Sequence, residues 1–245
     1  MIFHLRNMIS SFLLMIFAGI FSLHSNANVR PMPVQTIDTN SNQGILKTYL
    51  ALGDSYTIGQ SVSESKRYPV QTVKLLNDSG IHFSDPEIIA TTGWTTADLQ
   101  NAINNHRFTD SVYDIVTLLI GVNNQYQGKS QSEYKEQFTA LLQKSIQLAR
   151  GKASHVIVIS IPDYSVTPFA SVSNKVLIAS QIDSFNAINK QVSRDYGTNY
   201  LYITDDSRKA ATDPALIASD GLHYSGKEYA IWAGKLAVQI PKILQ

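Results

Sequence analysis

From residue 47 to the end of the chain, short apolar runs alternate with amphipathic stretches. Runs at 49–52, 87–91, 113–120, 155–161 and 200–204 read as strands. The third is apolar on both faces, which suits the centre of a parallel sheet. Between them, 68–77 reads as a helix with Pro69 in its first turn and Gly80 beyond its end, and 96–104 as a shorter one. Ser130 and Glu133 have the spacing of a capping box. The helix they open carries Tyr134, Phe138, Leu141, Leu142, Ile146 and Ala149 on one face and stops at Gly151. Helices over 176–194 and 225–238 complete the series.

Strands that alternate with helices imply right-handed crossovers, a parallel sheet and helices on both its faces, an α/β fold. One domain over 47–245 accounts for every element. The segment 28–46 is rich in Pro, Asn and Thr without periodicity and reads as an extended tether. Ahead of it, Arg6 precedes an almost wholly apolar run from Met8 to Phe21, and Ser25-Asn26-Ala27 supplies small residues for cleavage. Residues 1–27 therefore read as a secretory signal peptide. The run is short for an uncleaved membrane anchor, so no span is expected after cleavage.

Composition narrows the function. The 245 residues are 44% hydrophobic, ample for a packed core, and include no cysteine, so neither disulfides nor thiolate metal sites are available. Taking Arg6 from the 20 Lys and Arg leaves 19 basic against 19 acidic residues in the mature chain. That neutral balance lacks the basic field that nucleic acid or an anionic membrane surface demands.

Ligands of such sheets bind outside the carboxyl ends of the strands, so topology sorts the candidates. Of the six histidines, His4 and His24 fall in the signal, and His82, His106 and His155 lie between a helix and the next strand, at the opposite edge. His223, in "SDGLHYSG" after the fifth strand, reaches the functional edge. Ser55 follows the first strand in "YLALGDSYTIGQ", Gly93 the second and Asn123 the third. Alone, Ser55 reads as a helix cap, a phosphate-loop hydroxyl or a nucleophile, and His223 as an ordinary buried histidine. Together they supply a hydroxyl and the base it needs. Asp220, three residues before His223 across Gly221, can orient the imidazole, with Asp205 and Asp206 as alternatives. The N–H of Gly93, the amide of Asn123 and the N–H of Ser55 would then form an oxyanion hole. Each also has a bland reading as a turn residue.

The blocks "GDSY", "TTGW", "IGVNN" and "DGLH" resemble, in order, the four sequence blocks of the SGNH hydrolases, the GDSL esterase and lipase family, and especially its bacterial lysophospholipase-type branch. The resemblance covers nearly the whole mature domain. It implies a three-layer α/β/α, flavodoxin-like fold with a five-stranded parallel sheet, and a Ser-His-Asp triad of Ser55, His223 and Asp220. Ester or thioester hydrolysis would proceed without cofactor or metal. The third block departs from the family's usual Gly-x-Asn-Asp, because Asn124 stands where the acid is expected. Asp54, Tyr56, Trp94, Asn124 and Tyr126 are the expected substrate contacts, and the segment from Asp163 to Asn174, with Pro168 and Phe169, the expected wall or lid. The expected partner is a small ester: a short acyl ester, a lysophospholipid or an acetylated carbohydrate. Two rivals remain: a flavodoxin-like mononucleotide binder using "GDSYTIG" as a phosphate loop, and a ligand-binding domain without catalysis.

Overall fold

Five strands, β1 (Tyr49–Gly53), β2 (Glu87–Ala90), β3 (Ile115–Leu119), β4 (Val156–Ile159) and β5 (Asn199–Leu201), form one sheet in the computed structural model, which describes residues 46–245. Their order is β2-β1-β3-β4-β5 and every neighbouring pair is parallel. Every residue of β1, β3 and β4 is buried, as their unbroken apolar character predicts for strands covered on both faces.

The helices are α1 (Ser55–Ile58), α2 (Tyr68–Asp78), α3 (Thr96–Asn105), α4 (Val122–Tyr126), α5 (Gln131–Leu148), α6 (Lys175–Asp195), α7 (Thr204–Arg208) and α8 (Gly226–Ile243). Helices α2 and α8 pack on each other through Tyr68, Tyr229 and Trp232, whose ring centroids lie 5.0–6.4 Å apart. Helix α5 packs between α3 and α6. Right-handed crossovers put these two groups on opposite faces of the sheet, giving three layers. Among the described residues no helix is long and apolar enough to cross a membrane. The expected signal peptide, and all of the expected tether but Leu46, lie outside the described residues.

Three local differences from the sequence pattern have clear causes. The fifth strand ends at Leu201, and Thr204 opens α7 instead of extending it. Ser160 takes the backbone there: its Oγ accepts from Ile203 N at 2.8 Å, Thr204 N at 3.2 Å and Thr204 Oγ1 at 2.8 Å, turning the chain off the sheet. At Ser130 only half of the capping box forms. Its Oγ accepts from Glu133 N, while the Glu133 carboxylate accepts from Gln137 Nε2. The full reciprocal box is at the start of α3, where Asp98 accepts from Thr95 N and Thr95 Oγ1 accepts from Asp98 N.

Candidate active site

The turn out of β1 builds the first part of the site. Asp54 caps α1, its Oδ1 accepting from Tyr56 N at 3.1 Å, and Ser55 is the first residue of that four-residue helix. Gly59, in left-handed conformation, ends α1 by donating its N–H to the Ser55 carbonyl, and Gln60 N donates to the same oxygen. Ser55 is thereby fastened at the carboxyl edge of β1 and is only 4% exposed.

Opposite it, a tight loop brings Asp220 and His223 together. Ala218 N donates to the His223 carbonyl at 2.8 Å and Gly221 N to the Ala218 carbonyl at 3.1 Å. His223 Nδ1 lies 2.6 Å from Asp220 Oδ2, so a proton on Nδ1 is donated to the carboxylate and Nε2 is left as the acceptor. The other carboxylate oxygen accepts from Leu222 N and His223 N, each at 2.9 Å, and Ser61 Oγ donates to Oδ2 at 2.6 Å. Partial burial would raise the pKa of Asp220, but these four donors outweigh it and hold the carboxyl well below its usual range. The alternative orienters are engaged elsewhere: Asp206 pairs with Lys209 and Lys235, and Asp205 with Arg208 and Tyr202.

The remaining donors come from the ends of β2 and β3. Gly93 has φ +85° with no atom near the position of a Cβ, so the turn needs glycine for its backbone and not for space. Gly121 differs, because at φ +134° a Cβ would strike Tyr134 and Ile161; only glycine lets the chain leave β3 and enter α4. Helix α4 then presents Asn123, whose Nδ2 donates to the Trp94 carbonyl at 2.9 Å and retains a second hydrogen. Among the described residues the N–H groups of Ser55 and Gly93 have no partner within the protein.

Ser55, Gly93, Asn123 and His223 line one cavity of about 270 Å³, together with Tyr56, Tyr126 and Phe169. Ser55 Oγ makes no direct hydrogen bond to the imidazole among the described residues; such contacts commonly tighten only when substrate binds. Tyr126 and Phe169 are 60% and 46% exposed, their rings 6.2 Å apart at the cavity rim. Phe169 N donates to the Gly221 carbonyl, tying the wall to the histidine loop. Thr92, Val122, Tyr164 (within the expected wall segment) and Leu222 also face the cavity without having been named individually from the sequence. The first three could have been found by the rule that located Ser55, since each follows a strand at the carboxyl edge.

Three expected substrate contacts lie elsewhere. Asp54 is fully buried beneath Ser55, and Asn124 is fully buried between α4 and α3. The Asn124 side chain accepts from Thr96 N at 3.0 Å and donates to Thr96 Oγ1 at 2.7 Å, so it ties helices together and does not line this cavity. Trp94 serves through its carbonyl, with its ring against the core. Among the described residues Asp54 Oδ2 has no partner, and burial pushes the pKa of this carboxyl up to about 7 despite the Tyr56 N–H. Among the described residues no group of three or more His, Cys, Asp or Glu is placed to hold a metal ion.

A parallel α/β sheet with a hydroxyl, an imidazole–carboxylate pair and free N–H donors around one cavity at its carboxyl edge brings together the kinds of group that acyl transfer requires. A sequence profile of the GDSL-like lipase/acylhydrolase family matches residues 51–231, and the chain belongs to that family. It is a carboxylic ester hydrolase of the GDSL, or SGNH, type. A search of curated proteins finds no match. Among solved structures, the lipase/acylhydrolase from Enterococcus faecalis superposes with a TM-score of 0.66 at 15% identity, covering 82% of this chain and 98% of that one. The acetylxylan esterase Axe2 from Geobacillus stearothermophilus gives 0.59 at 19%, covering 79% and 94%. TesA gives 0.59 at 16%, covering 81% and 98%. At these identities the likeness is one of fold.

Proposed function

We propose that the protein cleaves carboxylic esters of small acyl groups through an acyl-enzyme on Ser55. Ser55 Oγ attacks the ester carbonyl carbon and gives its proton to His223 Nε2. Asp220 holds Nδ1–H and balances the imidazolium that results. The carbonyl oxygen, now an anion, accepts from the N–H groups of Ser55 and Gly93 and from the free hydrogen on Asn123 Nδ2. Collapse of this intermediate breaks the bond to the alcohol, which leaves with the proton from His223. Water then attacks the acyl-enzyme, giving a proton to His223, and the second collapse releases the acid and returns the proton to Ser55.

The observation that carries this reading is the convergence of Ser55, the 2.6 Å His223–Asp220 pair and three uncommitted donors on one cavity. A cavity of about 270 Å³ suits a short acyl chain, and the exposed rings of Tyr126 and Phe169 suit the larger alcohol portion, a sugar ring or a lysolipid backbone. Axe2, the acetylxylan esterase of like fold, acts on an ester within that range. A mononucleotide binder would have no use for His223 and its carboxylate partner. The leader-like residues 1–27 further support export, with the reaction taking place outside the cytosol.

The purified enzyme is expected to hydrolyse p-nitrophenyl acetate or butyrate without added metal, and a fluorophosphonate probe to label Ser55. Labelling at another residue would overturn the assignment. A panel of acyl-chain lengths and acetylated sugars then identifies the preferred alcohol and acid.

A further inference from the structure

We propose that Ser61 is a positioning residue for the acid–base pair, its hydroxyl clamping Asp220 to the segment that carries Ser55. This inference rests on the roles proposed above for Ser55, His223 and Asp220.

Ser61 Oγ donates to Asp220 Oδ2 at 2.6 Å, the same oxygen that faces His223 Nδ1 at 2.6 Å. Apart from this hydroxyl and the imidazole, the donors to the carboxylate are backbone N–H groups of its own loop. Ser61 thus supplies a tie from outside that loop. Its own position is fixed by the nucleophile segment. Gly59 N and Gln60 N both donate to the Ser55 carbonyl, and Val62 N returns to the Gly59 carbonyl at 3.2 Å. The neighbouring Gln60 accepts from Thr92 Oγ1 at 2.6 Å, next to Gly93. The Gln60-Ser61 pair therefore joins the Ser55, Gly93 and Asp220 loops, which the sequence separates widely.

The backbone at Ser61 makes an accidental contact a poor explanation. Its φ is +65°, and only Arg150 shares a positive φ among the described non-glycine residues. That left-handed region favours glycine or asparagine. A serine held there is strained, and the conformation is the one from which its hydroxyl reaches Asp220. By sharing Oδ2 with the imidazole, the hydroxyl draws charge from the carboxylate and keeps it from rotating away. Tyr56 also packs on the imidazole, edge-on at 5.6 Å.

The test compares Ser61→Gly, Ser61→Ala and Asp220→Asn. Glycine removes the hydroxyl while relaxing the backbone, so Ser61→Gly is expected to melt no lower than the parent, and Ser61→Ala to melt at or below it. Both are expected to lose about tenfold in kcat with KM little changed. The acidic limb of the kcat/KM profile is expected to move to higher pH, because a carboxylate freed of one donor holds the imidazolium more strongly. A merely structural role would leave that limb in place. In the Asp220→Asn background, Ser61→Gly is expected to add little. Parental kcat and pH profile in Ser61→Gly, with Asp220→Asn severely impaired, would overturn this inference and leave the triad standing. A full Ser61→Gly loss in the Asp220→Asn background would also overturn it. An active Asp220→Asn enzyme would overturn both readings.

Discussion

The two ends of the parallel sheet carry similar residues and do opposite things with them. At the amino edge, Glu87 accepts from Tyr113 Oη, from Thr109 N at 3.1 Å and pairs with His106 Nε2 at 2.7 Å. Asp114 accepts from Thr48 N, and His155 Nδ1 donates to the Asp114 carbonyl at 2.7 Å. A cavity of about 280 Å³ lies there too, walled by Tyr49, Glu87 and Tyr113 among others. Neither the presence of histidines and carboxylates nor the size of the hollow separates the two edges. At the carboxyl edge, two N–H groups and an amide hydrogen are left uncommitted beside a hydroxyl and an imidazole. A polar cluster that saturates itself holds strands in place, whereas one that leaves donors facing a cavity can bind developing charge.

The sharpest way to break this contrast is to remove one group from each edge. Ser55→Ala is expected to lower kcat by roughly 10⁶ without changing the melting temperature much, as for a nucleophile that works as a unit with its base. His106→Ala should instead leave ester turnover at the parental value while lowering stability slightly, as thermal melts would register. Next in size, Asp220→Asn is expected to cost up to about 10⁴ in kcat, because the imidazole loses the carboxylate that orients it. Asp205→Asn and Asp206→Asn should stay near parental rates, since neither carboxylate is paired with the imidazole; a severe loss in either would reassign the orienter.

Adjacent asparagines divide the same way. Asn123→Ala is expected to reduce turnover by roughly 10²–10³, the scale of one oxyanion donor. Asn124→Ala should act on stability, by about 1–3 kcal/mol, because it strands the buried Thr96 N–H. Denaturant melts and initial rates on the two variants separate these outcomes. The smallest effect expected is on pH dependence. In the unfolded chain Asp54 ionises near its ordinary value of 3.8, and in the folded protein near 7. Between these values the folded state binds the extra proton, so this residue's contribution to stability falls as pH rises and levels off above about pH 7. Asp54→Asn removes that contribution, and its melting temperature relative to the parent should climb from about pH 4 to about pH 7, then stay level.

Much of this was legible in the chain. Unbroken apolar runs located all five strands, and helical periodicity located the five longer helices, because burial on one or two faces imposes its period directly on the residues. The chain positions of Ser55, Gly93, Asn123 and His223 relative to those strands placed them at one edge before any contact was known. The short helices α1, α4 and α7 were not legible, since four or five residues carry no period. Nor was the true capping box at Thr95, where Asp98 takes the place usually held by Glu or Gln.

Asp54 and Asn124 show where motif proximity misleads. Each adjoins a cavity residue, but Asp54 turns back to cap α1 and Asn124 turns from α4 to Thr96 of α3, so both side chains are buried.

The order of apolar and polar residues by itself determined the parallel α/β architecture, and the resemblance of four short motifs pointed to the family, because sheet burial and motifs are both local in sequence. Only the tertiary structure decided which carboxylate meets His223, that Ser61 reaches it, and that Asn124 supports helices and leaves substrate to Asn123. Those outcomes depend on side-chain direction and on contacts between residues as far apart as Ser61 and Asp220, which no local pattern encodes.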